Sequence, residues 1–425
     1  MTDTEITVSL MDPAVQDCPF ELYRQLHERC PVYKMPETGF YLITRYEHLR
    51  EVLNDPETYS NKASFAGGLQ GERVKQFQAI LTERGWAHVA TLQRTDPPEH
   101  TRYRKLLNRV FTARRVASMA AHIDAVTNEL IDRFIDRGAC EFVGELALPL
   151  PGIVIAEQLG LGRDGIETFK RWADAMLATS MRLLTEDETR DAANTELEAQ
   201  HHIAAVFEDR RQQPRDDLIS ALVDAHGDDE EPLTMHELQN LMHQLVTGGF
   251  ETTTSALAHG MWLLLRHPEQ LALLRRDPAL MKGFIEETLR FESPVQGLAR
   301  RTTRDVVLDG TAIPAGSTLL VRYGAGNRDE THFEGADRFD ITRTNVTSHL
   351  AFGAGNHFCI GAALARQEMH SAFTNLLARL DGLTLAAPLP TPAHHPSMFL
   401  MPLKELHVSF TNRQITKRHG DDDGR

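Results

Sequence analysis

The stretch FGAGNHFCIG, residues Phe352–Gly361, decides the interpretation of this chain. Its three glycines allow the backbone to fold back tightly and to point amide groups at the cysteine sulfur. A helical pattern, AALARQEMHSAFTNLLARL, follows at once, and a helix N-terminus favours a thiolate over a thiol. The segment therefore predicts that Cys359 is either a nucleophile or a metal ligand.

The surroundings of Cys359 narrow these alternatives. No second cysteine lies nearby and no pair of histidines has the spacing of a zinc site, so structural zinc is disfavoured. Phe352 and Phe358 flank the cysteine and suit contact with a flat, apolar cofactor. A buried structural cysteine beside a glycine turn is the plainer alternative, because free cysteine usually behaves as a small apolar residue.

Size, composition and charge indicate a globular enzyme. The chain has 425 residues, of which 41% are hydrophobic and 25% charged, and this excludes a disordered protein. A net charge of −15 argues against a protein that coats nucleic acid. No stretch approaches about 18 consecutive apolar residues, so we expect no membrane anchor. An acidic N-terminus without signal-peptide features and four scattered cysteines predict a cytoplasmic protein.

Helical periodicity dominates the middle of the chain. The longest helical pattern runs from Thr234 to His267 and would cross the core. Residues 60–95 are rich in glycine and polar residues, which predicts a long irregular loop with one short helix. We expect a mainly α fold with minor β structure. Its predicted parts are a single domain over 1–415, β-rich parts at roughly 31–46, 295–325 and 385–410, and a disordered tail at 416–425.

The cysteine segment resembles the haem-ligand signature of the cytochrome P450 family, F-G-x-G-x-H-x-C-x-G, at all six fixed positions. The resemblance extends over nearly the whole chain and is to the soluble bacterial, ferredoxin-dependent class. It implies the P450 fold and haem b with the Cys359 thiolate as axial ligand of the iron, while Phe352 and Gly361 would contact the cofactor. It also implies monooxygenation of a mainly hydrophobic small molecule by dioxygen, such as a terpenoid, steroid, polyketide or fatty acid.

Basic residues occupy the positions at which the family binds the haem propionates. His100 and Arg104 are four residues apart on one helix, and two cationic donors on one face suit an anion. Arg300 and His357 resemble the remaining partners. The alternatives are a solvated basic helix face for the first pair, and Arg301 in place of Arg300.

A second charged group resembles a structural network of the family. Glu287 and Arg290 lie three residues apart on one helix, about 70 residues before the cysteine, as in the family. The resemblance implies a buried network beneath the haem, and Arg338 is the predicted third member.

The longest helix contains a weak point near its middle. Gly248 and Gly249 lower helix propensity and leave room for a flat ring and a small ligand to approach the backbone. The Thr252 hydroxyl can bond the Gly248 carbonyl, which would distort the helix and open a groove. In the family this is the dioxygen site, and the resemblance implies that Glu251 and Thr252 deliver protons there. A merely kinked core helix is the alternative.

The substrate pocket can be predicted only in outline. Gln244 and Thr247 precede the glycines where many relatives have aliphatic residues, so we predict a hydrophobic ligand with at least one polar group. The alternative is that Gln244 faces a neighbouring helix. The predicted lining is Met176, Gln244, Thr247, Gly248, Val295, Leu298 and Phe399.

The chain has no flavin or nicotinamide fingerprint, so its electrons must come from another protein. We expect a ferredoxin or flavodoxin with its reductase, steered to a basic patch formed by Arg102, Lys105, Arg114, Arg115 and Arg366. A peroxide-driven peroxygenase is the second hypothesis, and the Glu251–Thr252 pair argues against it. A non-catalytic haem protein for gas sensing or haem carriage is the third.

Overall fold

The structure is a computed structural model that describes residues 6, 8–62, 71–161, 165–181, 184–224, 232–386 and 393–413. Helices make up most of this part of the chain, as the periodicity predicts. The α-helices are α1 Pro13–Asp17, α2 Phe20–Arg29, α3 Tyr46–Asn54, α4 Gly71–Arg84, α5 Glu99–Val110, α6 Ala113–Asp132, α7 Pro149–Gln158, α8 Ile166–Met181, α9 Glu186–Gln212, α10 Leu218–Val223, α11 Met235–Gly249, α12 Glu251–Arg266, α13 Pro268–Arg276, α14 Met281–Phe291, α15 Tyr323–Gly326 and α16 Ala362–Arg379. The strands are β1 Val32–Lys34, β2 Tyr41–Ile43, β3 Tyr59–Ser60, β4 Ala139–Glu141, β5 Leu298–Thr302, β6 Val306–Leu308, β7 Thr311–Ile313, β8 Thr318–Val321, β9 Leu380–Leu385 and β10 His407–Asn412.

The strands form small sheets near the two ends of the chain. A five-stranded sheet has the order β1-β2-β8-β5-β3, in which β2 and β8 run parallel with Tyr41 opposite Leu319. A three-stranded antiparallel sheet has the order β4-β10-β9, and β6 pairs with β7 as a hairpin. The predicted β-rich regions contain most of these strands, but β3 and β4 lie outside them, as does β9 except for its last residue, Leu385. The predicted tail at 416–425 lies outside the described residues.

The largest cluster of buried apolar side chains is built mainly on α6, α12, α14 and α16. Helix α12 is buried on every side from Thr253 to Leu264, so it is the central helix of this cluster. Gly260 allows close packing there, because a Cβ at this position would lie 2.6 Å from Cζ of Phe373. The rings of Phe284 and Phe373 meet edge to face at 4.8 Å beside it.

The predicted helix over Thr234–His267 is confirmed in extent, and the structure divides it into α11 and α12. A capping box between Thr234 and Glu237 begins α11. Phe250 has φ −82° and ψ −72° and separates the two helices directly after the glycine pair. The interruption therefore lies where the helix propensity is lowest.

The prediction for residues 60–95 is wrong in one respect. The region contains α4, which is 14 residues long rather than short. Only Phe77 and Leu81 of α4 are buried, and they pack on Ala193 and Leu197 of α9. Two anchors one turn apart give a weak periodic signal, so the helix was not recognised in the sequence. Residues 63–70 lie outside the described part.

Candidate active site

The cysteine loop has the geometry that its glycines predict. Gly353 and Gly355 have φ of +68° and +66°, and a Cβ on Gly355 would lie 2.4 Å from the carbonyl oxygen of Leu53. The Cys359 amide donates to the carbonyl of Phe352 at 2.9 Å and closes the loop. The backbone is therefore bent so that Cys359 opens onto a cavity just before α16 begins, and this cavity accounts for its exposure.

Two opposing influences act on the pKa of the Cys359 thiol. Burial raises the pKa of the Cys359 thiol, whereas the amides of Gly361 and Ala362 and the charges of Arg104 and Arg366 lower it. The predicted amide contacts to the sulfur are thus present. Burial is the largest effect, so the thiol form is favoured here, and a bound metal cation would favour the thiolate instead.

A cluster of basic side chains lies beside the loop. His100 and His357 approach to 4.1 Å between ring centroids, and the Nε2 atom of each is buried without a hydrogen-bond partner among the described residues. Arg104 donates to the carbonyl of Phe358 at 2.5 Å. Arg300 is 5% exposed, whereas its neighbour Arg301 is exposed, so Arg300 is the arginine that faces inward.

This cluster has an excess of positive charge. Burial, together with the charges of His100, Arg300 and Arg104, lowers the pKa of His357 to about 3. Buried donors without partners are costly, and carboxylates are the ligands that satisfy cationic donors best. The four predicted propionate ligands therefore come together and fit an anionic group.

The break between α11 and α12 has the predicted hydrogen bond. The Thr252 hydroxyl donates to the carbonyl of Gly248 at 2.5 Å. Apart from its chain neighbours and the backbone of its own helix, no atom of the described residues lies within 4 Å of a Cβ built on Gly248, so open space adjoins the helix there. A Cβ on Gly249, in contrast, would lie 3.1 Å from Ile155. The break is therefore more than a kink, because it presents backbone and a hydroxyl to a cavity.

Glu251 differs from Thr252 in its surroundings. Thr252 lines the cavity, while Glu251 is not part of the lining and lies near Asp174 and Lys170 of α8. Burial, with a smaller effect of Asp174, raises the pKa of the Glu251 carboxyl. The predicted acid and alcohol thus lie side by side in sequence, with only the alcohol at the cavity surface.

One cavity of about 440 Å³ connects these groups. Its lining includes Cys359, Thr252 and the basic cluster. The predicted substrate residues all line it, and they are Met176, Gln244, Thr247, Gly248, Val295, Leu298 and Phe399. Its size is within the usual range of about 300–1,000 Å³ for ligand sites.

Gln244 binds neighbouring protein groups with both ends of its side-chain amide. Its Nε2 donates to the Thr91 hydroxyl at 2.7 Å, and its Oε1 accepts from the Gln93 amide at 3.3 Å. Both ends of the amide are therefore occupied by the segment before α5. We expected Gln244 to meet a polar group of the ligand, but in the structure it fixes one wall of the cavity.

The structure brings two of the three predicted members of the ion network together in the interior. Glu287 and Arg290 are fully buried and form a bidentate pair with both distances 2.8 Å. Arg338 is wrong as the third side chain, because it is 74% exposed, pairs with Asp340 and contributes only its carbonyl to Arg290. Arg343 takes the place instead, at 3.2 Å from Glu287.

The predicted basic patch is weaker than its sequence suggested. Arg102 pairs with Glu237 at 2.6 Å, and Arg115 donates to the carbonyl of Asp217 at 2.8 Å and lines the cavity. Arg366 is bound by Glu286 at 2.6 and 2.8 Å and lies over the ring of Phe352. Arg102, Arg115 and Arg366 are thus engaged within the chain.

Glu286 anchors Arg366 and was not recognised in the sequence. Burial alone would raise its pKa, but hydrogen bonds from His349 and Arg366 outweigh burial and lower the pKa of Glu286 to about 2. It thereby joins α14 to α16 beneath the cysteine loop. Its position next to Glu287 was the one signal in the sequence, but it did not identify His349 and Arg366 as partners because both are distant in sequence.

Comparisons with known proteins agree with this architecture. The cytochrome P450 family model matches residues 166–410. The chain is 35% identical over 394 residues to 6-deoxyerythronolide B hydroxylase of Saccharopolyspora erythraea, which covers 92% of this chain and 95% of that protein. It is 34% identical over 389 residues to steroid C26-monooxygenase of Mycobacterium tuberculosis, with 92% and 93% covered. The structure of cytochrome P450 CYP109Q5 from Chondromyces apiculatus matches with a TM-score of 0.83 and 33% identity over 95% of this chain and 98% of that one.

The fold and the cysteine loop define a haem-thiolate protein. Given the relatives above, the chain belongs to the cytochrome P450 family. It is a monooxygenase that uses haem b and dioxygen, receives electrons from redox partner proteins and hydroxylates hydrophobic small molecules. Within the described ranges, no helix is long and apolar enough to cross a membrane.

Proposed function

We propose that Cys359 is the axial thiolate ligand of the haem iron, and that His100, Arg104, Arg300 and His357 hold the haem propionates. The observation that carries this assignment is the single cavity lined both by the sulfur and by buried imidazole nitrogens without partners. Bound haem supplies the activation of dioxygen and the insertion of one oxygen atom into a C–H bond.

Thr252 and Glu251 have separate tasks in proton delivery under this proposal. The Thr252 hydroxyl lies at the cavity surface and is held by the Gly248 carbonyl, so it can hold a proton at its Oγ1. The raised pKa of Glu251 lets its carboxyl keep a proton more readily near neutral pH. Glu251 would therefore supply protons from the side of α8, and Thr252 would present them in the cavity.

The substrate that suits this cavity is a bulky and mainly apolar molecule. The lining offers the apolar side chains Met176, Val295, Leu298 and Phe399 around the open groove at Gly248. Related proteins carry the names of a macrolide-ring hydroxylase and a steroid monooxygenase. We place the substrate among polyketide macrolactones and steroids, with a polar group that contacts the polar side chains of the cavity lining.

Ligand titrations of the haem-loaded protein test the function. We expect a macrolactone or a steroid to shift the haem from low to high spin, and a short fatty acid to do so less. The reduced wild type should give the red-shifted carbonyl spectrum of a thiolate-ligated haem, and Cys359→Ser should lose it. A Cys359→Ser protein with the wild-type spectrum would overturn the ligand assignment, and turnover with peroxide but not with electron donors would favour the peroxygenase.

The electron donor is proposed to be a ferredoxin or flavodoxin with its reductase, and the protein to be cytoplasmic. The four cysteines, all in the described part, form no disulfide, which suits a reducing compartment. Arg114 is an exposed member of the basic patch, so Arg114→Glu should slow reduction by an acidic donor several-fold at low salt. Arg276→Glu makes the same charge change at another exposed position, and an equal effect of both variants would refute docking at the patch.

A further inference from the structure

Three potential metal ligands from distant parts of the chain meet at the wall of the cavity. His88 follows α4, Glu196 is in α9 and His243 is in α11, and one donor atom of each lies within 4.8 Å of the others. His88 Nε2 and Glu196 Oε1 are in direct contact, and the rings of His88 and His243 lie 4.7 Å apart. His243 precedes Gly248 by five residues, which is about 7 Å along a helix.

The cluster contains buried polar atoms without partners. Glu196 is 1% exposed, and its Oε2 has no hydrogen-bond partner among the described residues. The Nε2 atom of His243 is likewise buried and without a partner in that part of the chain. Such atoms are rare in folded proteins because a buried polar atom without a partner is destabilising, so their presence calls for a ligand.

Neighbouring groups hold both imidazoles in the orientation that a metal requires. The Gln78 side-chain amide lies 2.8 Å from Nδ1 of His88, which leaves Nε2 directed at Glu196. His243 has a hydrogen bond with the backbone of Met176, and because its Nε2 has no partner this bond uses Nδ1. Metal-binding histidines are held in this way, with one ring nitrogen fixed by the protein and the other directed at the metal. His243 Nε2 has no partner among the described residues, whereas His88 Nε2 contacts Glu196 and would exchange this contact for the metal.

We propose that His88, Glu196 and His243 form a binding site for a divalent transition metal, with Zn²⁺ as the ion that the donor set suits best. Two imidazoles and one carboxylate are a known three-ligand set for zinc, which leaves a coordination position for water or another ligand. His88 and His243 both line the cavity, so the open position would face the space that the substrate enters.

The charge around the site specifies what its open position would accept. Arg94 also lines the cavity and acts electrostatically on both Glu196 and His243, yet it forms no ion pair within 4.0 Å among the described residues. A divalent cation together with Arg94 exceeds the single charge of Glu196. An anionic oxygen, such as a carboxylate on a cavity ligand, would restore the balance, and water would serve in its absence.

Zinc retention by the haem-loaded protein tests this site. The protein is treated with a chelator, equilibrated with Zn²⁺ alone and dialysed, and zinc is counted against haem iron by mass spectrometry. We expect about one zinc per haem in the wild type, and at least 100-fold weaker zinc binding in Glu196→Gln and His243→Gln. The control His122→Gln removes an imidazole from a His–Glu pair with Glu157 for which no third metal ligand lies close by in the described residues, so it should retain the wild-type zinc content.

Two results would overturn the site. One is a wild type that retains no zinc beyond the Glu196→Gln level, which would leave a bridging water as the partner of the buried atoms. The other is equal loss in His122→Gln and His243→Gln, which would indicate surface binding. The carbonyl spectrum of each variant shows whether its haem site is intact, so failure here is distinguishable from failure of the proposed monooxygenase function.

Discussion

Arg343 and Arg338 are five residues apart, yet the fold uses them in opposite ways. Arg343 is 7% exposed and contacts the fully buried Glu287, whereas Arg338 projects into solvent. Removing one partner of a buried ion network leaves a charge without compensation, at a cost of about 3–5 kcal/mol for an isolated pair. Because Arg290 stays in place, we expect Arg343→Met to lower the free energy of unfolding by about 2 kcal/mol, measured by urea denaturation.

Arg338→Met is the matched control for this substitution. It deletes the same charge from the same loop but breaks only an exposed pair with Asp340, so we expect a change within about 0.5 kcal/mol. Equal destabilisation by the two variants would contradict the assignment of Arg343 to the network.

The Thr252 hydroxyl is the second residue whose chemistry can be isolated. Thr252→Val keeps the shape of the side chain and removes the donor to the Gly248 carbonyl. We expect ligand-induced spin shifts close to wild type, while product formed per electron pair falls roughly 10- to 100-fold because a proton donor is lost. Thr252→Ser should restore most of the yield, and a fully coupled Val variant would show that the hydroxyl has no part in proton delivery.

The residues that sequence reasoning identified have a common property. Cys359, His100 and Thr252 belong to local motifs whose spacing alone defines their geometry. Arg343, by contrast, reaches Glu287 only through the path of the 335–343 loop, which long-range packing determines. The spacing of His88, Glu196 and His243 in the sequence gives no indication of a shared site, because three separate parts of the chain supply them.

At the scale of elements, two of the three glycines in α11 and α12, Gly248 and Gly260, offer a direct comparison. Gly248 adjoins open space, whereas Gly260 faces the rings of Phe373 and Phe284 at 2.6 and 3.3 Å. Alanine is favoured over glycine in a helix by about 0.5–1 kcal/mol. We therefore expect Gly248→Ala to raise thermal stability slightly, and Gly260→Ala to lower it by about 1–3 kcal/mol through overpacking.

The same pair of variants also separates packing from function. Gly248→Ala adds a methyl group to the cavity wall, so we expect weaker binding of bulky ligands in spin-shift titrations despite the gain in stability. A destabilised Gly248→Ala protein with a stable Gly260→Ala counterpart would show that the roles of the two positions have been reversed.

The bounds of a helix could be predicted from the sequence where residues close together in the chain determine them. The limits of α11 and α12 follow from the Thr234 cap and the glycine pair, both of which act locally. Helix α4 was underestimated because only two of its residues are buried, and these meet α9 more than a hundred residues later. The central helix α12 shows no amphipathic face for the related reason that the fold buries it on all sides.

At the scale of the whole molecule, the pH dependence of stability involves buried histidines that are protonated in the unfolded chain more readily than in the folded one. His259 is 0% exposed in α12, and its Nε2 lies 3.1 Å from Nε2 of His394, which is 5% exposed. Burial, with the nearby His394, lowers the pKa of His259 well below 6.5, and burial also lowers the pKa of His394. The folded protein therefore resists protonation at a site that the unfolded chain protonates readily.

This difference fixes the sign of the pH dependence. Well above pH 6.5 His259 is neutral in both states and contributes no slope, whereas as the pH falls through 6.5 the unfolded chain alone gains a proton. The free energy of unfolding should then fall by up to about 1.4 kcal/mol per pH unit for this residue as the solution is acidified. We expect His259→Gln, which cannot titrate and can still hydrogen-bond His394, to lose one proton's share of the slope between pH 6.5 and 5 in urea unfolding. His236→Gln removes an exposed histidine and should keep the wild-type slope, so a His259→Gln slope equal to that of His236→Gln would show that the buried pair does not govern acid stability.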